Sequence, residues 1–170
     1  MAELGEKLDQ ALKVMSDKAG KYLTFTLAGE EYGIGILKIK EIIGMLPITS
    51  VPQTPEFVKG VINLRGKVIP VMDLRLKFGL PAIDYSDRTS IIVVEAGTQD
   101  GKIFVGIVVD AVSEVLNIKG DDIEKTPTFG AKFGTDYILG MAKTGGGVKL
   151  LLDIDQVLNR DELSQLSEAA

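Results

Sequence analysis

The 170-residue sequence contains no cysteine, no histidine and no tryptophan. Disulfides, thiolate nucleophiles and imidazole bases are therefore excluded, together with most zinc and haem sites. A Ser-His-Asp triad is impossible without histidine, and no serine lies in a recognisable nucleophile turn. We therefore expect neither catalysis nor a bound cofactor, and the lack of cysteine is consistent with a cytoplasmic protein.

Long runs of one residue class are also missing. The longest apolar run, residues 103–109, has seven residues including a glycine, whereas a membrane-spanning helix needs about 20. The first residues alternate charged with apolar side chains, unlike the unbroken apolar core of a secretory signal. Lys and Arg number 19 against 24 Asp and Glu, a net charge of -5 without basic runs. This balance disfavours both membrane insertion and nucleic acid as a partner.

The periodicity of the apolar residues predicts a mainly β protein. Residues 3–18 have helical spacing, which predicts an N-terminal helical arm ending near residue 20. About ten short strands follow, five on each side of a polar, proline-containing boundary at residues 80–88. Two small closed barrels would remove all sheet edges. We place them at about residues 21–80 and 88–152 of one domain (21–160), leave strand exchange between them open, and expect a C-terminal helix and tail at 153–170.

Motifs that resemble binding sites are weak here. Residues 33–35 (GIG) begin like a dinucleotide fingerprint but lack its third glycine, and a tight bend or close backbone contact explains them better. Residues 144–149 (TGGGVK) lack the Gly-Lys-Ser/Thr ending of a phosphate loop and fit a hairpin turn. The carboxylate pairs Asp121-Asp122 and Asp153 with Asp155 are explained by solvation and helix capping.

An arginine at a hairpin tip is the least expected feature. Residues 61–64 and 68–72 predict two paired strands closed by Arg65-Gly66-Lys67. Arg65 is either an ordinary exposed turn residue or a positioned partner of a carboxylate. A guanidinium can grip a carboxylate through two hydrogen bonds, and Glu41 lies in the same half of the chain.

Four segments resemble the CheW-type family of chemotaxis coupling proteins, and they occur in the family's order. The similarity covers residues 22–158, nearly the whole chain. The segments are YLTFTLAGEEYGIGILKIKEI (22–42), TPEFVKG (54–60), GVINLRGKVIPVMDLR (60–75) and VGIVVDAVSEVL (105–116).

The resemblance implies two five-stranded SH3-like β-barrels around a shared hydrophobic interface, with short peripheral helices. It implies a non-catalytic adaptor, monomeric when isolated, that joins the cytoplasmic tip of methyl-accepting chemotaxis receptors to the regulatory domain of the histidine kinase CheA. Arg65 and Glu41 match receptor-coupling positions, and Ile36 and Ile39 match apolar positions beside them. We expect Arg65 and Glu41 to pair. Kinase contacts are expected on the first barrel, without assigned residues.

Two other functions stay open at the level of sequence. One is an adaptor of the same family that serves a different kinase pathway, such as one controlling pili or development. The other is a barrel protein that binds a small ligand, or acts on one, in the cleft between its halves.

Overall fold

The computed structural model describes residues 19–98, 101–124, 137–145 and 147–158. Residues 1–18 of the predicted N-terminal arm therefore lie outside the described residues, as do residues 159–170 of the predicted C-terminal helix and tail. In chain order the strands are β1 (Gly20–Leu27), β2 (Glu30–Gly35), β3 (Ile39–Gly44), β4 (Val58–Leu64), β5 (Lys67–Asp73), β6 (Ser90–Thr98), β7 (Gly101–Val109), β8 (Ala111–Ile118), β9 (Ile123–Glu124), β10 (Ile138–Thr144) and β11 (Gly147–Leu152).

The helices of the described residues are short and peripheral, as predicted. They are α1 (Leu74–Lys77), α2 (Ile154–Val157) and the 3-10 turns Ile36–Lys38 and Gly120–Asp122. Asp73 caps α1 by accepting a hydrogen bond from the backbone N–H of Arg75, and Asp153 caps α2 in the same way. These two aspartates satisfy N–H groups that a helix start otherwise leaves without partners.

The strands form two sheets. The first sheet has the order β8-β1-β2-β11-β10-β9, and the second has the order β3-β6-β7-β5-β4. Each takes strands from both sides of residues 80–88, so residues 21–80 and 88–152 do not correspond to the two sheets. Four pairings join strands from the two sides of this boundary: β1 with β8 and β3 with β6 are antiparallel, and β2 with β11 and β5 with β7 are parallel.

Strand pairing closes neither sheet into a complete barrel among the described residues. The outer strands are β8 and β9 in the first sheet and β3 and β4 in the second. The second sheet nevertheless curls back on itself, because Thr49, which follows β3, bridges Val61 of β4 through two backbone hydrogen bonds of 2.9 Å. Gly60 permits this contact, since a Cβ there would lie 2.0 Å from the Thr49 carbonyl oxygen. The arrangement is consistent with the SH3-like fold.

Three apolar clusters hold the sheets together. The largest lies between the sheets and takes residues from both, including Leu23, Phe25, Ile34, Ile92, Val94, Val105 and Ile107. The opposite face of the second sheet has its own cluster, formed by Ile62, Ile69, Val71, Ile91, Val93 and Val108. The first sheet likewise has one, formed by Tyr22, Ile118, Ala142 and Leu151. Alternate residues of β6 serve different clusters, because successive side chains of a strand point to opposite faces. The shared hydrophobic interface is thus confirmed.

Candidate functional site

The tip of the β4–β5 hairpin holds Arg65 in a fixed turn. Leu64 pairs with Lys67, which leaves Arg65 and Gly66 as a two-residue loop. Their φ angles are 53° and 88°, the positive values that a type I′ hairpin turn requires. The Asn63 side-chain oxygen accepts a hydrogen bond of 2.8 Å from the Gly66 N–H. A positive φ is unusual for arginine, so the hairpin imposes the position of this side chain.

Arg65 and Glu41 form a two-pronged ion pair, as predicted. Nη1 of Arg65 donates to Oε1 of Glu41 and Nη2 donates to Oε2, each at 2.8 Å. The Arg65 side chain is 73% exposed and that of Glu41 is 26% exposed. The pair joins the hairpin tip to β3, which lies at the opposite edge of the second sheet. It therefore connects the two outer strands β3 and β4 at the surface.

The pair shifts the pKa of both groups in the direction that favours their charged forms. The hydrogen bond from Arg65 lowers the pKa of Glu41, and the positive charges of Arg65 and Lys40 lower it further. The hydrogen bond to Glu41 raises the pKa of Arg65. Both groups are consequently charged at neutral pH, and the ion pair is intact there.

The structure does not place Ile39 beside Glu41. Ile39 pairs with Val94 and Glu41 pairs with Val93, so Lys40 is an extra residue in a bulge of β3. Directly paired residues point to the same face of a sheet, and Val93 and Val94 point to opposite faces. Ile39 therefore faces the cluster between the sheets, where it is half-buried, whereas Glu41 faces the other side.

Ile36 lies in the 3-10 turn before β3 and is 37% exposed. It lines a cavity of about 390 Å³ where this turn meets the start of α2. Lys38 pairs with Asp155 across the cavity wall, with 2.8 Å between Nζ and Oδ2. Leu37 also lines it and is 97% exposed. Leu37 and Lys38 were not singled out from the sequence, because the exposure of a residue and its ion-pair partner depend on the fold.

The remaining candidate sites have structural roles. A Cβ on Gly33 would lie 2.9 Å from a methyl carbon of Leu151, so this glycine permits close packing. Asp153 caps α2, and Asp121 and Asp122 are exposed in a 3-10 turn. Among the described residues, no group of three or more Asp, Glu, His or Cys side chains is placed to hold a metal ion. No helix in that part of the chain is long and apolar enough to span a membrane.

Comparison with known proteins shows to which family the chain belongs. Residues 21–162 match the model of the CheW-like domain. The chain belongs to the CheW-like family. It is 39% identical over 159 residues to a chemotaxis protein CheW of Klebsiella aerogenes, with 93% of each chain covered. It is 31% identical over 155 residues to one from Rhizobium meliloti, covering 91% of this chain and 97% of the relative.

A solved structure agrees with this assignment. The scaffolding protein TtCheW of Thermoanaerobacter tengcongensis superposes with a TM-score of 0.73 and 35% identity, covering 85% of this chain and 95% of that one. Membership in the CheW-like family makes the chain an adaptor or scaffold of the chemotaxis type.

Proposed function

We propose that this chain is a non-catalytic adaptor that couples the cytoplasmic tip of methyl-accepting chemotaxis receptors to the regulatory domain of the histidine kinase CheA. In this role it works in the cytoplasm, reaches the membrane-bound receptor arrays only through its partners, and is a monomer when isolated. The observation that carries the proposal is the exposed two-pronged pair of Arg65 with Glu41. Such a pair fixes the direction of both side chains.

The pair holds two charged side chains in a fixed arrangement at the edge of the receptor-binding surface. A helical hairpin presents an amphipathic surface, and proteins read such surfaces with apolar contacts rimmed by charge. Ile36, with its neighbour Leu37, supplies exposed apolar area. Ile39 contributes indirectly, because its half-buried side chain packs on the cluster between the sheets and so supports strand β3. The kinase-binding residues remain unassigned.

The first experiment is a calorimetric titration of the protein with the isolated regulatory domain of the CheA kinase from the same organism. A second titration uses a soluble fragment of the receptor hairpin tip. Saturable one-to-one binding of both supports the proposal. Binding of a kinase from another chemosensory pathway instead would assign the chain to that pathway. Binding of nucleotides or metabolites, with neither protein bound, would favour the ligand-binding alternative.

A further inference from the structure

A second cavity, of about 230 Å³, opens beside the Arg65–Glu41 pair at the end of the second sheet. Its inner part is apolar and includes Ile69 and Val93, which belong to the buried cluster of that sheet. Its rim is charged. The lining residues are Lys40, Glu41, Leu64, Arg65, Lys67, Ile69, Val93 and Phe104. An apolar pocket with a charged rim suits a side chain that has an apolar stem and a charged end.

Two lysines at the rim lie close to the same aromatic ring, that of Phe104. The Nζ of Lys40 lies 5.9 Å from the centroid of the Phe104 ring, and the Nζ of Lys67 lies 5.4 Å from it. The face of an aromatic ring attracts cations at such distances. Both lysines are exposed and Phe104 is half-buried. Both ammonium groups therefore lie within about 6 Å of the centroid of one ring that lines the pocket.

The rim has more positive than negative charge. Glu41 is the only carboxylate among the lining residues, and Arg65 occupies both of its oxygens. Within the part of the chain that the structure describes, neither Lys40 nor Lys67 forms an ion pair. Of the three cations at the rim, Arg65 is thus neutralised by Glu41, whereas Lys40 and Lys67 are not neutralised by a carboxylate. This local surplus stands out in a chain whose net charge is -5.

We propose that this pocket binds an acidic side chain, Asp or Glu, that projects from the receptor hairpin. Its carboxylate lies between the ammonium groups of Lys40 and Lys67, and its methylene groups contact Phe104 and Leu64. The inference rests on the proposed function, because the pocket shares the Arg65–Glu41 pair with the receptor-binding surface. Charge complementarity favours an acidic occupant over an apolar or basic one.

The test is the double variant Lys40→Gln/Lys67→Gln, which removes both charges and keeps most of each stem. The matched control is Lys119→Gln/Lys143→Gln, which changes the net charge equally. Lys119 is exposed, and Lys143 forms an exposed pair with Glu124 of the first sheet. Each protein is titrated with the receptor-tip fragment at low and high salt, and with the CheA regulatory domain.

We expect the pocket variant to bind the receptor fragment about tenfold more weakly than wild type, with a smaller dependence of the affinity on salt. Its affinity for the kinase domain, and both affinities of the control, should change by less than about twofold. An unchanged receptor affinity of the pocket variant would overturn the acidic pocket while leaving the adaptor function intact. Equal losses for receptor and kinase would overturn the assignment to the receptor. Failure of the wild-type protein to bind the receptor fragment would overturn the proposed function and this inference together.

Discussion

Two arginine–carboxylate pairs in this molecule have similar chemistry and opposite surroundings. In the Arg65–Glu41 pair two nitrogens meet two oxygens at the surface, with Arg65 73% exposed. In the Arg75–Asp110 pair a single Nη1 lies 2.6 Å from Oδ2, and the side chains are only 10% and 19% exposed. An exposed ion pair is screened by water and contributes little to stability, whereas removing one partner of a buried pair is costly.

The buried pair belongs to a network that ties four segments together. Arg75 also donates from Nε to the Pro81 carbonyl oxygen at 2.8 Å. Asp110 also accepts from the backbone N–H of Ala28, in the β1–β2 turn of the first sheet. Asp73 caps α1 and accepts a hydrogen bond from the Tyr85 hydroxyl at 3.1 Å. This network holds the sheets and the boundary segment 80–88 together, whereas the described residues show no side-chain hydrogen bond from Arg65 or Glu41 to a third residue.

The largest expected effect is that of Arg75→Ala. It leaves Asp110 nearly buried without its charged partner, and we expect a loss of about 3–5 kcal/mol in the free energy of unfolding. Urea denaturation followed by circular dichroism measures it. Arg65→Ala in the same assay is the matched control and should unfold at nearly the wild-type urea concentration. Equal losses in the two variants would remove the distinction between the pairs.

A smaller effect is expected for Tyr85→Phe, which keeps the ring and removes the hydrogen bond to Asp73. We expect a loss of about 1 kcal/mol at neutral pH in the same urea assay. Burial, followed by the charge of Asp73, raises the pKa of Tyr85 above its ordinary value. Its contribution is therefore complete below about pH 10 and is lost as the pH rises further, because the tyrosine of the unfolded chain ionises first.

The pH dependence of Tyr85→Phe tests this assignment. Between about pH 9 and 11 the stability of Tyr85→Phe should fall less than that of wild type. Tyr22 and Tyr32, whose pKa values are also raised by burial, are the same in both proteins. An identical decline in the two proteins would show that Tyr85 does not contribute this pH dependence.

The smallest effect concerns the pKa of Glu41, measured from its side-chain carboxyl carbon by NMR titration. In wild type it should lie below the ordinary value of about 4.3, and Arg65→Ala should move it upward. The stability linked to this shift is present above the ordinary value and is lost as the pH falls through the lowered pKa. The same pKa in both proteins would mean that the pair does not persist in solution.

The local features of the fold could be predicted from the sequence, whereas the features that depend on how the strands pair could not. The Asp153 cap and the turn at Arg65-Gly66 were predictable because their signals lie within a few residues. The Arg75–Asp110 pair was not, because its partners are 35 residues apart. Parallel pairing of β5 with β7 sets Asp73 opposite Val108, and the chain then brings Arg75 in α1 close to Asp110, which directly follows β7.

The candidate site shows the same limit. The resemblance to the CheW-type family supplied Arg65, Glu41, Ile36 and Ile39, and the predicted pairing of the first two is observed. The bulge at Lys40, which turns Ile39 to the other face of the sheet, left no signal in the sequence. The pocket at Phe104 likewise depends on strands β3, β5 and β7 meeting in space.

We propose that the exposed pair of Arg65 with Glu41 serves binding rather than folding. The most direct measurement is the affinity of Arg65→Ala for the receptor-tip fragment, with its melting temperature measured on the same sample. Arg65→Lys, which keeps the charge but loses the planar fork, is the companion variant and should behave like Arg65→Ala. For Arg65→Ala we expect an affinity about tenfold lower than that of wild type and a melting temperature within about 2 °C of it. Wild-type affinity at an unchanged melting temperature, or a grossly unfolded variant, would contradict it.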